Sequence, residues 1–436
     1  MEGFAFVRNN MYERLPASKV PRTASRFNNR PSTSSRFGGS SPSFGGSSRF
    51  GGANRGGSRF PAKKQKPGFM DISKFINKPT VAESAVVIEI KHKFADFKVD
   101  ERLKTSILTK GYDIPTPIQD QTIPLILEGR DVVGMANTGT GKTAAFLIPL
   151  INKVLLNPNE QVLIMAPTRE LAIQIDAELK DFTRNIQPLM YSVCCVGGMY
   201  IGHQIRELRY KNNFIIGTPG RLKDLIDRKM IKLPEFNTVV LDEADQMLDM
   251  GFINDMRFIM DCMPKPRHTL FFSATMSPTI EKIIADFLNN PVRVSVKTRD
   301  TSKNVEQDVV RVDRGANKID VLHKLLGGAD FSKVLVFGKT KHGVQKISDE
   351  LTSKGVSSES IHGDKDHRQR QRALGAFKQN QVKVLVATDV AARGLDISDI
   401  SHVINYDLPA TYEDYIHRIG RTGRGNKKGK ALTFIH

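Results

Sequence analysis

The sequence has few cysteines, no long apolar run and no leader-like start. Its cysteines are Cys194, Cys195 and Cys262, with no C-x-x-C pair among them. This excludes a disulfide framework and a cysteine zinc site, and is typical of small buried residues in a reducing compartment. No stretch approaches the roughly 20 apolar residues of a membrane-spanning helix, and the opening MEGFAFVRNN lacks the apolar core of a signal peptide. The sequence therefore predicts a soluble, cytoplasmic protein without disulfides or a membrane segment.

Acidic residues are scarce relative to basic ones. The chain has 65 Lys and Arg against 46 Asp and Glu, a net charge of +19. Residues 1–66 alone carry 13 of the basic residues against Glu2 and Glu13. An excess of this size predicts a polyanionic partner, although charge alone does not identify it.

Residues 1–68 differ in composition from the rest of the chain. The tripeptide Ser-Arg-Phe recurs at 25–27, 35–37, 48–50 and 58–60, mostly followed by Gly-Gly or Pro. Such a segment cannot bury enough apolar surface to offset its chain entropy, so we expect a disordered basic tail. Arg can neutralise phosphates and Phe can stack on unpaired bases, which favours nucleic-acid binding. A merely solubilising tail is the alternative.

After a predicted linker at 69–92, short β-rich apolar runs alternate with amphipathic helical patterns. The predicted strands cover residues 131–136, 162–167, 213–218, 238–243, 269–274, 333–340, 382–389, 401–407 and 430–436. This alternation is typical of parallel sheets with helices on both faces. A polar stretch at 298–305 interrupts it, so the sequence predicts two tandem α/β domains, 93–297 and 306–436, with a cleft between them.

The stretch MANTGTGKTAAF, residues 135–146, has the spacing of a phosphate-binding loop, except that Ala136 stands where the general pattern has Gly. It follows a predicted strand and precedes a helical pattern. Backbone N–H groups and a helix N-terminus can hold phosphate oxygens there. Lys142 adds positive charge, and the hydroxyl of Thr143 can reach Mg²⁺.

A second predicted strand ends in VVLDEAD, which contains Asp242 and Glu243. Beside a phosphate loop, Asp242 can hold magnesium, usually through water. Glu243 can orient and deprotonate an attacking water. A helix N-cap is a reasonable alternative for Asp242 alone, but together with the loop the acidic pair predicts nucleotide hydrolysis.

The DEAD tetrapeptide with ANTGTGKT upstream closely resembles the DEAD-box ATP-dependent RNA helicases of superfamily 2. The resemblance covers about residues 94–436, and the further motifs follow in the family's order: GYDIPTPIQ (111–119), PTREL (167–171), Gly197-Gly198, TPGR (218–221), SAT (273–275), HGD (362–364), ATDVAARGLD (387–396) and HRIGRTGR (417–424). It implies two RecA-like domains that bind ATP and Mg²⁺. The family's loop begins with Ala, so Ala136 matches.

The resemblance implies a set of nucleotide contacts. Gln119 would recognise adenine, and Phe94, 17 residues before Gly111, would stack on the base. Phe97 is the fallback for that stacking, and core packing is the alternative for either ring. The remaining contacts would be the loop residues Thr138, Gly139, Thr140, Gly141, Lys142 and Thr143, and Asp396 on the ribose.

In the second domain, Arg421 and Arg424 would reach the γ-phosphate when the domains close. The resemblance also implies residues that couple the two domains: Asp245, Ser273, Thr275, Arg393, His417 and Arg418. Among these, Ser273 is equally compatible with a simple helix N-cap, whereas His417 and Arg418 are expected to contact the first domain.

The resemblance implies contacts with the RNA backbone that position a strand without reading its sequence. The implied residues are Pro167, Thr168, Arg169, Gly198, Gly220, Arg221, Gly363, Arg370 and Thr388. A surface ion pair is the alternative for Arg169. His367 replaces the Gln that the family often has three residues before Arg370, and its effect stays open.

The sequence thus predicts an ATP-dependent RNA helicase that separates short duplexes or remodels RNA–protein complexes locally, rather than by long travel. We expect a monomer that binds single strands and short duplexes. Three alternatives remain: an RNA-annealing chaperone dominated by the tail, an ATP-gated RNA clamp, and a DNA-acting motor of the same superfamily.

Overall fold

The computed structural model describes residues 89–137, 139–296, 305–393, 397, 399–423 and 428–435. The predicted tail, most of the first predicted linker and nearly all of the second lie outside the described residues. The predicted domain boundaries therefore stay predictions, although a strand already begins at Val305, the last residue of the second predicted linker.

The described chain contains two all-parallel sheets. The strands are β1 (Val132–Met135), β2 (Val162–Met165), β3 (Ser192–Cys195), β4 (Phe214–Gly217), β5 (Thr238–Leu241), β6 (His268–Ser273), β7 (Val292–Ser295), β8 (Val305–Arg311), β9 (Val334–Phe337), β10 (Ser358–Ile361), β11 (Val384–Ala387), β12 (His402–Asn405) and β13 (Gly429–Ile435). The order is β3-β4-β2-β5-β6-β1-β7 in the first sheet and β10-β11-β9-β12-β13-β8 in the second.

Helices connect most successive strands. They are α1 (Glu101–Thr109), α2 (Pro117–Leu127), α3 (Lys142–Leu156), α4 (Arg169–Thr183), α5 (Ile201–Glu207), α6 (Pro219–Asp227), α7 (Ala244–Asp249), α8 (Ile253–Asp261), α9 (Pro278–Phe287), α10 (Lys318–Leu326), α11 (Lys341–Ser353), α12 (His367–Lys378), α13 (Asp389–Ala392) and α14 (Tyr412–Ile419). Short 3-10 turns lie at Phe94–Asp96 and Leu233–Glu235. Parallel strands need such crossovers, because a tight hairpin cannot join them.

Both faces of each sheet are buried. In β2, Val162 and Ile164 belong to one apolar cluster, whereas Leu163 and Met165 belong to another. In the second sheet, neighbouring residues of β9 and β11 divide between two clusters in the same way. Side chains alternate between the faces of a strand, so a helix layer must cover each face. The predicted fold of two parallel α/β sheets with flanking helices is confirmed.

The nine predicted strands are the nine interior strands of the two sheets, and the four that were not predicted are the edge strands β3, β7, β8 and β10. Interior strands are buried on both faces and read as continuous apolar runs. Edge strands are only partly covered: in β8, Val305 and Gln307 are buried while Glu306 and Asp308 are exposed. Their mixed composition gave no apolar run to recognise.

None of the described helices is long and apolar enough to cross a lipid bilayer. All three cysteines carry free thiols.

The space around two glycines predicts opposite effects of alanine. A Cβ on Gly217 in β4 would overlap the carbonyl oxygen of Cys195 in the neighbouring strand. A Cβ on Gly375 inside α12 would meet no described atom within 4 Å beyond its chain neighbours and its own helix backbone. We expect Gly217→Ala to lower the free energy of unfolding by about 1–3 kcal/mol. Gly375→Ala should raise it by about 0.5–1 kcal/mol, because alanine favours the helix. Urea-induced unfolding measures both, and equal effects would contradict the packing described here.

Candidate active site

Three of the predicted motifs meet at one edge of the first sheet. The phosphate loop follows β1, the acidic turn follows β5, and the loop 274–277 follows β6. These strands are neighbours in the order β5-β6-β1, and their carboxyl ends lie at the same edge. In open parallel sheets this edge is where ligands bind.

The phosphate loop turns sharply before α3. Gly139 and Gly141 have φ angles of 81° and 87°, which side chains rarely adopt. Lys142 is the first residue of α3, and its buried Nζ donates to the carbonyl oxygen of Ala136, 3.1 Å away. The Oγ1 of Thr140 donates to the carbonyl of Asn137 at 2.8 Å. The loop is thus folded around its own lysine at the N-terminus of a long helix, while Thr138 lies outside the described residues.

Gln119 is joined to the phosphate loop. Its buried amide accepts from the backbone N of Thr116 at 2.8 Å and donates to the carbonyl of Gly141 at 3.0 Å. A Cβ on Gly141 would overlap Nε2 of Gln119, so this contact requires glycine. The sequence did not reveal this link between α2 and the loop. Adenine recognition by Gln119 stays a prediction.

Phe94 lies inside the apolar core, with only 1% of its surface exposed. Its ring meets those of Phe97 and Tyr112 edge-on, at centroid distances of 5.6 and 5.5 Å. Phe97 is buried as well. The structure therefore places both rings in the packing arrangement that was the alternative, and stacking on adenine would require Phe94 to become accessible.

The acidic pair is buried and strained. Glu243 has φ 51° and ψ 50°, a left-handed conformation that costs a non-glycine residue about 1 kcal/mol or more. Oδ1 of Asp242 accepts from the N of Glu243 at 3.0 Å, whereas the buried Oε2 of Glu243 has no hydrogen-bond partner among the residues that the structure describes. Burial raises the pKa of Asp242, and raises that of Glu243 to about 7 although the charge of Lys142 opposes it. A carboxyl group with this pKa suits general-base chemistry near neutral pH.

Asp245 joins the acidic turn to the loop after β6. Its Oδ2 accepts from the backbone N of Ala274 at 3.0 Å, and from the N and Oγ1 of Thr275 at 2.9 and 3.2 Å. The hydroxyl of Ser273 donates to the carbonyl of Thr275 at 2.7 Å. Ser277 caps α9 instead, so the N-cap alternative for Ser273 is wrong.

Four predicted residues of the second sheet's domain line one pocket: Arg393, His417, Arg418 and Arg421. Nη2 of Arg393 donates to Asp414 at 2.9 Å and lies 3.8 Å from Asp249 of α7, a partner that the sequence did not indicate.

Electrostatic effects also cross the cleft. Burial is the main cause of the lowered pKa of His417, and the carboxylate of Asp245 opposes it. The charge of Arg421 likewise acts to lower the pKa of Glu243, against the larger effect of burial. Each of these two second-domain residues therefore interacts electrostatically with a carboxylate of the acidic turn. Arg424 and Asp396 lie outside the described residues.

Arg418 differs from the prediction that it contacts the first domain. Its Nη2 donates to Asp389 at 2.7 Å, and its Nη1 donates to Asn405 and to the carbonyl of Asp407 at 3.2 and 2.6 Å. The guanidinium also lies over the ring of Phe337, 5.1 Å from its centroid. These partners all belong to the second domain, where the buried arginine joins the ends of three strands. Sequence spacing placed it correctly on α14 but could not show that it points inward.

The predicted RNA residues of the first domain lie around two turns. Thr168 caps α4 by accepting from Leu171 N at 3.2 Å, after Pro167. The guanidinium of Arg169 covers Gly198, where a Cβ would overlap it. Nη1 of Arg221 donates to Gln204 at 3.0 Å, and Gly220 precedes it in α6.

In the second domain, the predicted RNA residues differ in their surroundings. Gly363 has no atom within 4 Å of its Cβ position, and Thr388 caps α13. Nη2 of Arg370 lies 2.8 Å from Oε1 of Glu170 in α4, an ion pair between the two domains. Glu170 belongs to the PTREL motif, but its type and position gave no sign of this partner. Arg370 would have to share its charge between Glu170 and a phosphate.

Comparison with known proteins resolves the family. The family model for DEAD/DEAH box helicases matches residues 116–283, and that for the helicase conserved C-terminal domain matches 317–426. The chain is 47% identical over 344 residues to the DEAD-box ATP-dependent RNA helicase CshA of Bacillus licheniformis, covering 78% of this chain and 70% of CshA. The chain belongs to the DEAD-box ATP-dependent RNA helicases. The predicted family and enzyme class are confirmed.

Two solved structures share the fold. One is S. cerevisiae Dbp5 bound to RNA and ADP BeF3, with 31% identity, a TM-score of 0.70 and coverage of 79% of this chain and 90% of that one. Another is Mss116p bound to ssRNA and AMP-PNP, with 29% identity, a TM-score of 0.71 and coverage of 79% and 75%. The two tandem RecA-like domains predicted for this DEAD-box helicase are confirmed.

The raised pKa of Glu243 predicts a stability change with pH in the ligand-free helicase. The folded protein retains this proton up to about pH 7, whereas an ordinary Glu, with a pKa of 4.5, releases it earlier. The contribution of this carboxyl group to the free energy of unfolding is therefore fully present below pH 4.5 and is lost as the pH rises from 4.5 to 7. We expect Glu243→Gln, which keeps the neutral form, to be more stable than the wild type at pH 8 by about 1–3 kcal/mol, and similar to it at pH 4.5.

Thermal or urea unfolding at the two pH values tests this expectation. Glu235→Gln is the control, because Glu235 is an exposed acid nearby in sequence and its substitution should leave the pH dependence unchanged. Equal stability of Glu243→Gln and the wild type at pH 8 would contradict the buried, uncompensated carboxylate.

Proposed function

We propose that ATP binds at the carboxyl edge of the first sheet and that RNA binds along the same face of both domains, so that cleft closure completes the hydrolytic site. The observation that carries this proposal is the approach of the second domain's Arg393 to Asp249 of α7, 3.8 Å apart, next to the acidic turn. The charge of Arg421 from the same domain also acts to lower the pKa of the buried Glu243. An arginine supplied by a second domain can stabilise charge that develops on a transferred phosphoryl group.

The loop residues would hold the phosphates. The backbone N–H groups from Gly139 onward and the N-terminus of α3 present donors and positive potential. Nζ of Lys142, which now donates to Ala136, would exchange that carbonyl for a phosphate oxygen. The carbonyl of a neutral peptide is a weaker partner than a phosphate, so the exchange favours binding.

The residues present fit a magnesium ion. Thr143 at the start of α3 and Asp242 at the end of β5 offer a hydroxyl and a carboxylate, and the buried Oε2 of the adjacent Glu243 has no hydrogen-bond partner in the described ranges. Oxygen ligands of this kind are those that Mg²⁺ prefers. When bound, the ion would neutralise charge on the phosphates. Thr138, Asp396 and Arg424 complete the proposed nucleotide contacts by resemblance to the family.

Glu243 would act as general base. Its side chain is buried next to Asp242, and its raised pKa gives the carboxylate the affinity to take a proton from water near neutral pH. Arg421 would approach from the second domain, so that proton removal and charge stabilisation coincide only in the closed cleft. Release of phosphate would then weaken the contact between the domains.

RNA would be held by its backbone. Arg169 next to Gly198 and Arg221 next to Gln204 in the first domain, and Arg370 next to Glu170 in the second, supply the guanidinium groups. Such contacts position a strand without reading bases, and binding should weaken as salt rises. Closure of the two domains would bend the held strand and disrupt pairing locally. We also propose a cytoplasmic location, in keeping with an RNA substrate.

Turnover measurements test these roles. We expect Lys142→Ala, Glu243→Gln and Arg421→Ala each to lower RNA-stimulated ATP hydrolysis by about 100-fold or more, with Arg421→Ala still binding ATP. Arg257→Ala is the matched control, because Arg257 forms a surface ion pair with Asp286 and should have no role in turnover. Full turnover by Glu243→Gln would contradict the assigned base, and equal stimulation by DNA and RNA would favour a DNA-acting motor.

A further inference from the structure

An aromatic side chain that the predicted site does not use stands beside the RNA-binding turn. Tyr200 is 75% exposed and is the N-cap residue of α5, two positions after Gly198. A tyrosine ring usually buries much of its surface. Its neighbour Met199 is exposed as well. This apolar surface lies next to the arginines proposed to bind phosphate.

The turn that carries Tyr200 is fixed from several sides. Nε2 of the buried Gln204 donates to the carbonyl of Val196 at 3.0 Å, and Oε1 of the same side chain accepts from Arg221. Arg221 also donates to the carbonyl of Met199 at 3.4 Å. Arg169 lies against Gly198. The position of Tyr200 relative to both arginines is therefore set by the fold.

The ring rests on the first turn of its own helix. It meets His203 edge-on at 5.7 Å between centroids, and a Cβ on Gly202 would lie 2.6 Å from Cε1 of Tyr200. The absence of a side chain at Gly202 lets the ring lie close to the helix, while most of its surface faces solvent. A rigid, exposed ring of this kind loses little conformational entropy when a flat partner covers it.

We propose that Tyr200 stacks on an unpaired base of the RNA strand whose phosphates are held by Arg169 and Arg221. The inference rests on the proposed function and adds a base contact to a site otherwise made of backbone contacts. The exposed Arg206, 2.7 Å from His203, adds positive charge beside the ring, which suits a polyanion better than an apolar partner. A ring next to phosphate-binding arginines is the arrangement that binds single strands without sequence preference.

Stacking would favour an unpaired strand. A base within a duplex is already stacked on both faces, whereas an unpaired base offers a free face to the ring. The first domain would thus stabilise the separated strand as well as hold it. Because every base has such a face, the contact would be tolerant of sequence.

The test is a double-mutant cycle, in which the affinity for RNA is measured with and without the Tyr200 side chain and with and without the base. Fluorescence anisotropy would measure binding of a 10-nucleotide oligoadenylate, and of the same strand with an abasic site at each position in turn, with ADP–beryllium fluoride present. We expect Tyr200→Ala to weaken binding of the intact strand by about 5-fold or more, and Tyr200→Phe to retain it. At one abasic position, the wild type should lose the same factor and Tyr200→Ala should lose nothing further.

Tyr210→Ala is the matched control. Tyr210 is 73% exposed and follows the same helix, but it lies near the start of β4, at the opposite edge of the sheet. Its substitution should leave affinity unchanged.

The proposal would be overturned if Tyr200→Ala bound the intact strand as tightly as the wild type does. It would also be overturned if the wild type lost the same affinity at every abasic position. An equal loss in Tyr200→Phe would overturn it as well. If the wild type itself bound no RNA, the proposed function would fail instead, which separates the two outcomes.

Discussion

The buried carboxylate of Asp245 connects the parts of the site. A buried charge is costly unless donors surround it, and here Asp245 accepts three hydrogen bonds from the backbone and hydroxyl of the loop after β6. The same residue lies two positions after Glu243 and acts electrostatically on His417 of the second domain. The carboxylate of Asp245 therefore interacts with the acidic turn, the loop after β6 and the second domain. A movement of any one of these three changes the surroundings of the other two.

This arrangement explains why the chemistry would depend on closure. Lys142, Asp242 and Glu243 are all buried in the first domain. The group that would stabilise negative charge on the transferred phosphoryl group is Arg421 of the second domain. In a water-excluded site such a charge is far more effective than in solvent. This site has a cost as well: burial raises the pKa of Glu243, its backbone is strained, and its Oε2 has no hydrogen-bond partner within the described part of the chain. Stability is reduced at the place where reactivity is needed.

The sequence predicted most of the buried strands, but few of the hydrogen bonds and ion pairs between distant side chains. Interior strands were recognisable because burial on both faces demands continuous apolar residues, whereas edge strands such as β8 and β10 are only partly buried and contain several polar residues. The phosphate loop and acidic turn were recognisable because their spacing follows from backbone chemistry at strand ends. The partners of Arg418, Arg370 and Gln119 were not, because they come from distant segments that only the fold brings together. Phe94 shows the same limit, since position alone does not distinguish a stacking ring from a core ring.

Reciprocal binding tests the claim that closure links the two sites most directly. The affinity of a single-stranded RNA would be measured with and without ADP–beryllium fluoride, and the affinity of that nucleotide with and without the RNA. If one closed state serves both ligands, each must strengthen the other by the same factor, which we expect to be about 10-fold or more. Affinities that are independent of the other ligand in both directions would contradict the account.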